Sequence, residues 1–462
     1  MKKLIILWAC ILLFTGDSIS QTKVEEELFG LLQQAKYKEL VNKVCSLREK
    51  AYFKNAFMDY CLAYGYCQLD KPSVSAEWFD HLLASYSNFS IKKRNELKTL
   101  KQSCLNTRST TAPTQSLFLF LQAMNADGHK EGAGIESKLG IPSLTDTVEA
   151  IDFEHLTFDG QHRRFSLQQK KEALTYYQQI LRNDNFFADT TEHFLVFYPK
   201  NALNIKQQIE DLEKYYAFYA KAFNLQESGR LISIFYCTSR SNFNEVAESI
   251  HKMPIPVSTF GYASSVDLVM LGIANVAWLG AMKHELFHLM IRSYLGDIPP
   301  WLDEGTACFF ESSTLTNAGA STNFSGSNYR FNLLKNTSFL RSELRHQRKG
   351  EFLVPSVQQL TNFNWLEFSG KQGDLTIKAS YNQSLSYAFV CFLNEKNLLP
   401  KMIEAYRNRS FVAPVSSQDS NDVVELHLKT NDQLLTEVTG MNQQEIQQAF
   451  RNFCRKKNII LD

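Results

Sequence analysis

Two histidines and a glutamate stand in the stretch His284-Glu285-Leu286-Phe287-His288. On a helix, side chains four apart share one face, so both imidazoles can reach a single metal ion. The glutamate beside the first histidine is then placed to take a proton from an attacking water. A second acidic segment follows closely. Asp297-Ile298-Pro299-Pro300 turns the chain, and Trp301-Leu302-Asp303-Glu304-Gly305-Thr306-Ala307 opens another helix. An antiparallel helix at that distance can bring a carboxylate of this segment to a third protein position and leave a fourth for water. Two histidines, one carboxylate and an open position form the layout of a catalytic zinc site, whereas a structural site is closed by four ligands. The sequence therefore predicts one Zn2+ held by His284, His288 and an acid of the second helix, with Glu285 placed to take the water's proton. Taken alone, an acid there has a plainer reading, because acids suit the first turn of any helix.

HELFH followed by WLDEGTA resembles the gluzincin metallopeptidases, the superfamily of thermolysin and the zinc aminopeptidases. Within it the chain is most similar to the peptidase-MA-like families, in which the second segment follows the first closely. The likeness covers about 190 to 462 and does not reach the N-terminal part. It implies His284, His288 and Glu304 as the zinc ligands and Glu285 as the general base. It also implies a tyrosine, opening a downstream helix, that donates to the oxyanion of the tetrahedral intermediate. Tyr381, in Tyr381-Asn382-Gln383-Ser384, matches that layout, with Tyr387 in reserve and ordinary packing as the alternative for Tyr381. A third implication is a strand along the cleft that pairs with substrate backbone. Thr259-Phe260-Gly261-Tyr262-Ala263 is the segment, making Gly261 and Tyr262 the substrate-binding positions. The Gly-x-Met-Glu-Asn sequence by which aminopeptidases hold a free amine is missing, so the resemblance points to an endopeptidase-like cleft. In thermolysin an Asp four residues after the ligand Glu orients a histidine. Here that position is Cys308, and either Asp303 or Glu311 would take over the task.

Several elements must position these groups. Apolar residues recur at helical spacing from Ile205 to Phe223, and the metal motif lies on an apolar-faced helix from about Ala274 to Leu295. Strands are expected at Phe194–Tyr198, Leu231–Tyr236 and Asp267–Leu271, the last preceded by Gly261-Tyr262. Beyond Trp301 the pattern is mostly helical. A small mixed sheet followed by a helical half is an α+β arrangement, of the zincin type if the resemblance holds. Ahead of it, Thr22 to about Cys104 reads as helical, starting from a Thr22/Glu25 capping box. Tyr60 to Leu83 resembles one tetratricopeptide-type hairpin with its turn at Asp70-Lys71-Pro72. The Ser/Thr/Pro-rich run 107–114 and the Gly-rich, charged run 125–134 read as linker, and a helix is expected around Ser166 to Leu181. The domain boundary is placed near 185, giving a helical module with linker at 21–185 and a catalytic region at 186–462.

The N-terminus has a separate role. Lys2 and Lys3, the apolar run Leu4–Phe14 and small residues at Ser18 and Ser20 form a secretory signal peptide over 1–20, with a mature start near Gln21. The run is too short for the roughly 20 residues of a spanning helix. Export to the periplasm or exterior permits disulfides among the eight remaining cysteines, with buried thiols as the alternative for Cys308 and Cys391. No Cys-x-x-Cys is present to suggest a thiolate zinc ribbon. With 49 Lys+Arg against 48 Asp+Glu, a polybasic nucleic-acid binder is excluded. The expected function is a secreted zinc peptidase acting on peptides or proteins, with a possible protein partner for the helical module. Two alternatives stand beside it: a silent metallopeptidase-like helical-repeat binding protein, and a zinc hydrolase of non-peptide amides or esters.

Overall fold

The computed structural model describes residues 21–48, 56–85, 91–106, 167–181, 186–199, 204–225, 231–251, 261–264, 268–273, 278–295, 298–316, 319–322, 329–335, 354–369, 377–412 and 423–459. The expected signal peptide (1–20) and linker runs (107–114 and 125–134) lie outside these residues. Five helices come first: α1 Gln21–Gln33, α2 Tyr37–Arg48, α3 Ala56–Gln68, α4 Pro72–Ser85 and α5 Ile91–Asn106. Helix α3 is buried from Ala56 to Cys67, mostly apolar but with Asp59 among the buried residues, so its neighbours wrap it. The chain reverses after α3 through Asp70 in the left-handed region, and Pro72, which lacks the N–H a first helical turn cannot use, opens α4. A Cys67–Cys104 disulfide ties the ends of α3 and α5 together. The cysteines at 45, 61, 237, 308, 391 and 454 are buried.

After α6 (Leu167–Leu181) a mixed sheet begins. Its strands are β1 Phe186–Thr190, β2 Phe194–Pro199, β3 Ile232–Cys237, β4 Gly261–Ser264 and β5 Val269–Ile273. Helix α7 (Ile205–Ala222) joins β2 to β3, and α8 (Arg240–His251) follows β3. The order is β1-β2-β3-β5-β4, with β2, β3 and β5 parallel and both edge strands antiparallel to their neighbours.

Successive strand residues point to opposite faces, and the two faces have separate cores. Phe194, Val196, Ile232, Ile234, Tyr236 and Met270 pack under α7 and the next helix, α9 (Trp278–Leu295). Leu195, Phe197, Phe235, Cys237, Val269 and Leu271 pack under α6 and α8. All of β3 is buried, as a strand covered on both faces must be. Helix α6, expected as the last piece of the N-terminal module, thus shares its core with the sheet through Ala173, Tyr177 and Leu181.

The remainder is mostly helical: α10 Pro300–Glu311, hairpin β6 Ser313–Thr316 and β7 Gly319–Thr322, α11 Tyr329–Lys335, α12 Val357–Asn362, α13 Trp365–Ser369, α14 Ile377–Glu395 and α15 Leu399–Arg407. A second hairpin, β8 Ser410–Val412 with β9 Leu426–Leu428, precedes α16 Asn431–Thr439 and α17 Gln443–Lys456. The architecture is α+β with a small mixed sheet. Among the described residues no helix is long and apolar enough to cross a membrane.

The β9 segment leaves its own half to pack on the N-terminal helices. Leu426 joins their core. The Tyr66 hydroxyl donates to the Val424 carbonyl at 2.7 Å and accepts from the Leu426 N–H at 2.8 Å, and Trp78 Nε1 donates to the Leu426 carbonyl at 2.7 Å. The first five helices are therefore bound to the C-terminal half through backbone atoms of one extended segment.

Candidate metal centre

Helix α9 carries the histidines. Met282, Leu286, Phe287, Leu289 and Ile291 are fully or almost fully buried, and such side chains contribute roughly 1.5–3 kcal/mol apiece. That burial fixes the rotation of α9, which leaves His284 and His288 on the face toward α10. Their Nε2 atoms lie 3.0 Å apart. Helix α10 begins at Pro300, reverses direction after α9, and delivers Glu304 between them. Its Oε2 is 3.6 Å from His284 Nε2 and its Oε1 3.6 Å from His288 Nε2. Donors around a tetrahedral ion with bonds of 2.0–2.1 Å sit about 3.3 Å from one another, so this triangle has the size of one coordination sphere. His284, His288 and Glu304 could hold a metal ion in that way.

Each histidine is backed by its own acid. Asp303 Oδ1 lies 2.6 Å from His288 Nδ1, and its Oδ2 accepts from Arg292 Nε at 2.8 Å. Asp303 is wholly buried; against that penalty Arg292 and His288 hold its carboxyl down at about 2. Arg292 also lies over the Trp365 ring at 5.5 Å. On the other side Glu311 Oε2 faces His284 Nδ1 at 3.6 Å and pairs with Arg330 at 2.7 Å. Burial opposes its ionisation too, but Arg330 and His284 bring it to about 2. His284 Nδ1 is buried and lacks a hydrogen bond of normal length. A histidine that binds a metal through Nε2 carries its proton on Nδ1, and Glu311 stands ready to accept it. Of the two candidate acids for orienting a histidine, Asp303 lies on His288 and Glu311 faces His284, while Cys308 is a buried thiol packed beside His284.

Glu285 projects toward the sheet edge. Burial pushes its carboxyl above the usual range, and the two histidines oppose that rise. The edge strand β4 passes beside it. A Cβ added to Gly261 would come within 2.9 Å of Glu285 Oε1, so only glycine leaves this carboxylate its space. Gly261 pairs with Gly272 on β5. Tyr262 points to the opposite face of the sheet and packs against the core under α6 and α8. Gly261 is therefore brought to the site and the Tyr262 side chain is not.

The structure places the two tyrosines elsewhere. Tyr381 is 1% exposed and belongs to the main core. Cys454 of α17 lies close enough to add to the effect of burial in raising its pKa. The Tyr387 hydroxyl lies 3.1 Å from Ser312 Oγ, behind the end of α10, with its ring against Phe331. At 100° per residue, Gln383 stands about 160° around α14 from Tyr381, and it is Gln383 that faces the site. Its Nε2 donates to Glu304 Oε2 at 3.1 Å. The approach is close because Gly305 has no side chain: a Cβ there would meet the Ser386 carbonyl oxygen at 2.8 Å. Sequence reasoning missed Gln383, Arg330 and Arg292. Only Arg292, four residues beyond His288 and so on its helical face, had a local signal.

No protein-family model matches this chain, and no curated protein matches its sequence.

Proposed function

We propose that the chain is an exported zinc-dependent peptidase of the gluzincin type, cleaving within peptide chains. On this reading the sheet, α9 and α10 form a zincin-type catalytic domain, and α1–α5 form a tetratricopeptide-like module. The observation that carries the proposal is the triangle of His284, His288 and Glu304, with Glu285 beside an edge strand. Two imidazoles and one carboxylate suit Zn2+ and leave a position open. The buried, proton-needing Nδ1 of His284 fits the same assignment. Bound there, a zinc ion would supply Lewis acidity to the scissile carbonyl and the attacking water.

The chain's own residues would do the rest. Among the described residues strand β4 has a strand neighbour only on its β5 side, so its outer edge can receive an extended substrate as an added strand. Glu285 takes a proton from water and delivers it to the leaving amine, and burial raises its pKa toward the range such an exchange needs. Asp303 and Glu311 hold the two imidazoles by their outer nitrogens. The absent amine-holding sequence favours internal cleavage over aminopeptidase action. A disulfide in the N-terminal helices suits an exported protein.

The test is zinc content together with cleavage of a diverse peptide pool, using Glu285→Gln as control. The expected result is one zinc per chain, cleavage abolished by chelation, and a Glu285→Gln protein that keeps its zinc and loses at least 100-fold in rate. Stoichiometric zinc with no peptide cut would overturn the peptidase reading. Ester or amide turnover would then mark a non-peptide hydrolase, and its absence a binding protein.

A further inference from the structure

We propose that Gln383 is a positioning residue for the ligand Glu304, anchored by Arg330. The inference rests on the metal-site reading above and extends it to residues outside both motifs. Gln383 Nε2 donates to Glu304 Oε2 at 3.1 Å, and Arg330 Nη1 donates to Gln383 Oε1 at 3.2 Å. Arg330 is held by Glu311 through Nη2 at 2.7 Å and Nε at 3.3 Å, and Glu311 faces His284 Nδ1 at 3.6 Å. These contacts connect Glu304 to His284 through three groups outside the His284–His288–Glu304 triangle, namely Gln383, Arg330 and Glu311.

The chemistry allows one orientation of the amide. A guanidinium only donates and an ionised carboxylate only accepts, so the Gln383 oxygen must face Arg330 and its NH2 must face Glu304. A flipped amide would lose both bonds. Arg330 is 7% exposed and Gln383 is partly buried, so water competes little for either contact. The consequence falls on Glu304. With one lone pair of Oε2 engaged by Gln383, rotation of the carboxylate is limited. An unanchored carboxylate could swing away from the imidazoles and would have to be reordered whenever an ion bound. A donor that fixes a ligand's orientation beforehand removes that cost.

The test uses the full mature chain. Apparent Zn2+ affinity is measured by competition with a chromophoric chelator, and the visible spectrum of the Co2+-loaded protein is recorded. Gln383→Met keeps length and volume and removes the donor. It should weaken zinc binding roughly 10- to 100-fold and change the Co2+ spectrum, while the metal-free protein unfolds at the wild-type temperature. Arg330→Lys keeps the charge but cannot bridge Glu311 and Gln383 together, and should show a smaller loss in the same direction. Wild-type zinc affinity and an unchanged Co2+ spectrum in Gln383→Met would overturn the proposal and leave the peptidase reading standing. A wild-type chain that binds zinc but cuts no peptide would overturn that reading while the affinity comparison still decides the role of Gln383. A wild-type chain that binds no zinc would overturn both.

Discussion

In the N-terminal helices Asp59 joins Arg48 to His81, its Oδ2 lying 2.9 Å from His81 Nε2. Beside α9, Asp303 joins Arg292 to His288, its Oδ1 lying 2.6 Å from His288 Nδ1. Both aspartates are buried, and both clusters use the same three residue types. They differ in what else meets the imidazole. At His81, Nη2 of the Arg409 guanidinium lies 3.1 Å from both ring nitrogens. Burial, with that cation's help, lowers the His81 pKa to about 4, so the ring is neutral at neutral pH. At His288, Nε2 instead faces His284 and Glu304 across 3.0 and 3.6 Å. An aspartate on a histidine therefore marks only an oriented ring. What else faces the ring, a cation or a set of other potential ligands, separates the two clusters. Arg409 follows α15, so the first cluster also joins the N-terminal helices to the C-terminal half.

The sharpest separation should come from Asp59→Leu. It leaves Arg48, 4% exposed and stacked on Trp78 at 4.7 Å, as a buried charge without its carboxylate. Such a loss costs about 3–5 kcal/mol. Urea unfolding of the metal-free chain should show that loss, and zinc affinity should stay at the wild-type value. A tenfold drop in zinc affinity would mean that the two clusters are coupled and that the comparison fails.

The His81 cluster should also respond to pH. Between the ordinary value of 6.5 and about 4, the unfolded chain binds a proton at His81 that the native chain does not. Stability from this group is therefore complete above pH 6.5 and falls as pH drops toward 4, by about 3 kcal/mol in all. The groups facing the ring are Asp59, Arg48 and Arg409. In chelator-treated protein, the stability gap between wild type and His81→Gln should narrow across that window. A gap that stays constant would show that His81 is not held neutral.

What could be read beforehand follows from how local each signal is. His284, His288 and Glu304 were legible because a four-residue helical spacing and one short turn decide their geometry. The strands at 194–199, 232–237 and 269–273 were legible as runs buried on both faces. Strand β1 was not. Its sequence, FFADT, alternates buried and exposed positions and contains an aspartate, as an edge strand can. The hairpin β8–β9 was hidden because its stability comes from Tyr66, Trp78 and Glu77, about 350 positions away. Tyr381 shows the limit of a resemblance in layout. It pointed to a helix that does approach Glu304, but two residues along α14 is more than half a turn, and the rotation set by Gly305 and Ser386 turns Gln383 toward Glu304.

The smallest expected effect tests the other half of the comparison. Asp303→Asn keeps the shape of the side chain and an oxygen for the His288 Nδ1 proton, but it removes the charge that Arg292 and His288 share. An amide must offer its NH2 to one of these two partners, and both of them are donors. One contact is therefore lost whichever way it turns. Arg292 is 24% exposed and can recover water, so the stability penalty should be well below that of Asp59→Leu. Outer partners of metal-binding histidines typically account for roughly 10- to 100-fold in metal affinity, and chelator competition should find a loss of that size. If Asp303→Asn lost stability but no zinc affinity, it would behave as Asp59 does, and the functional difference between the two clusters would disappear.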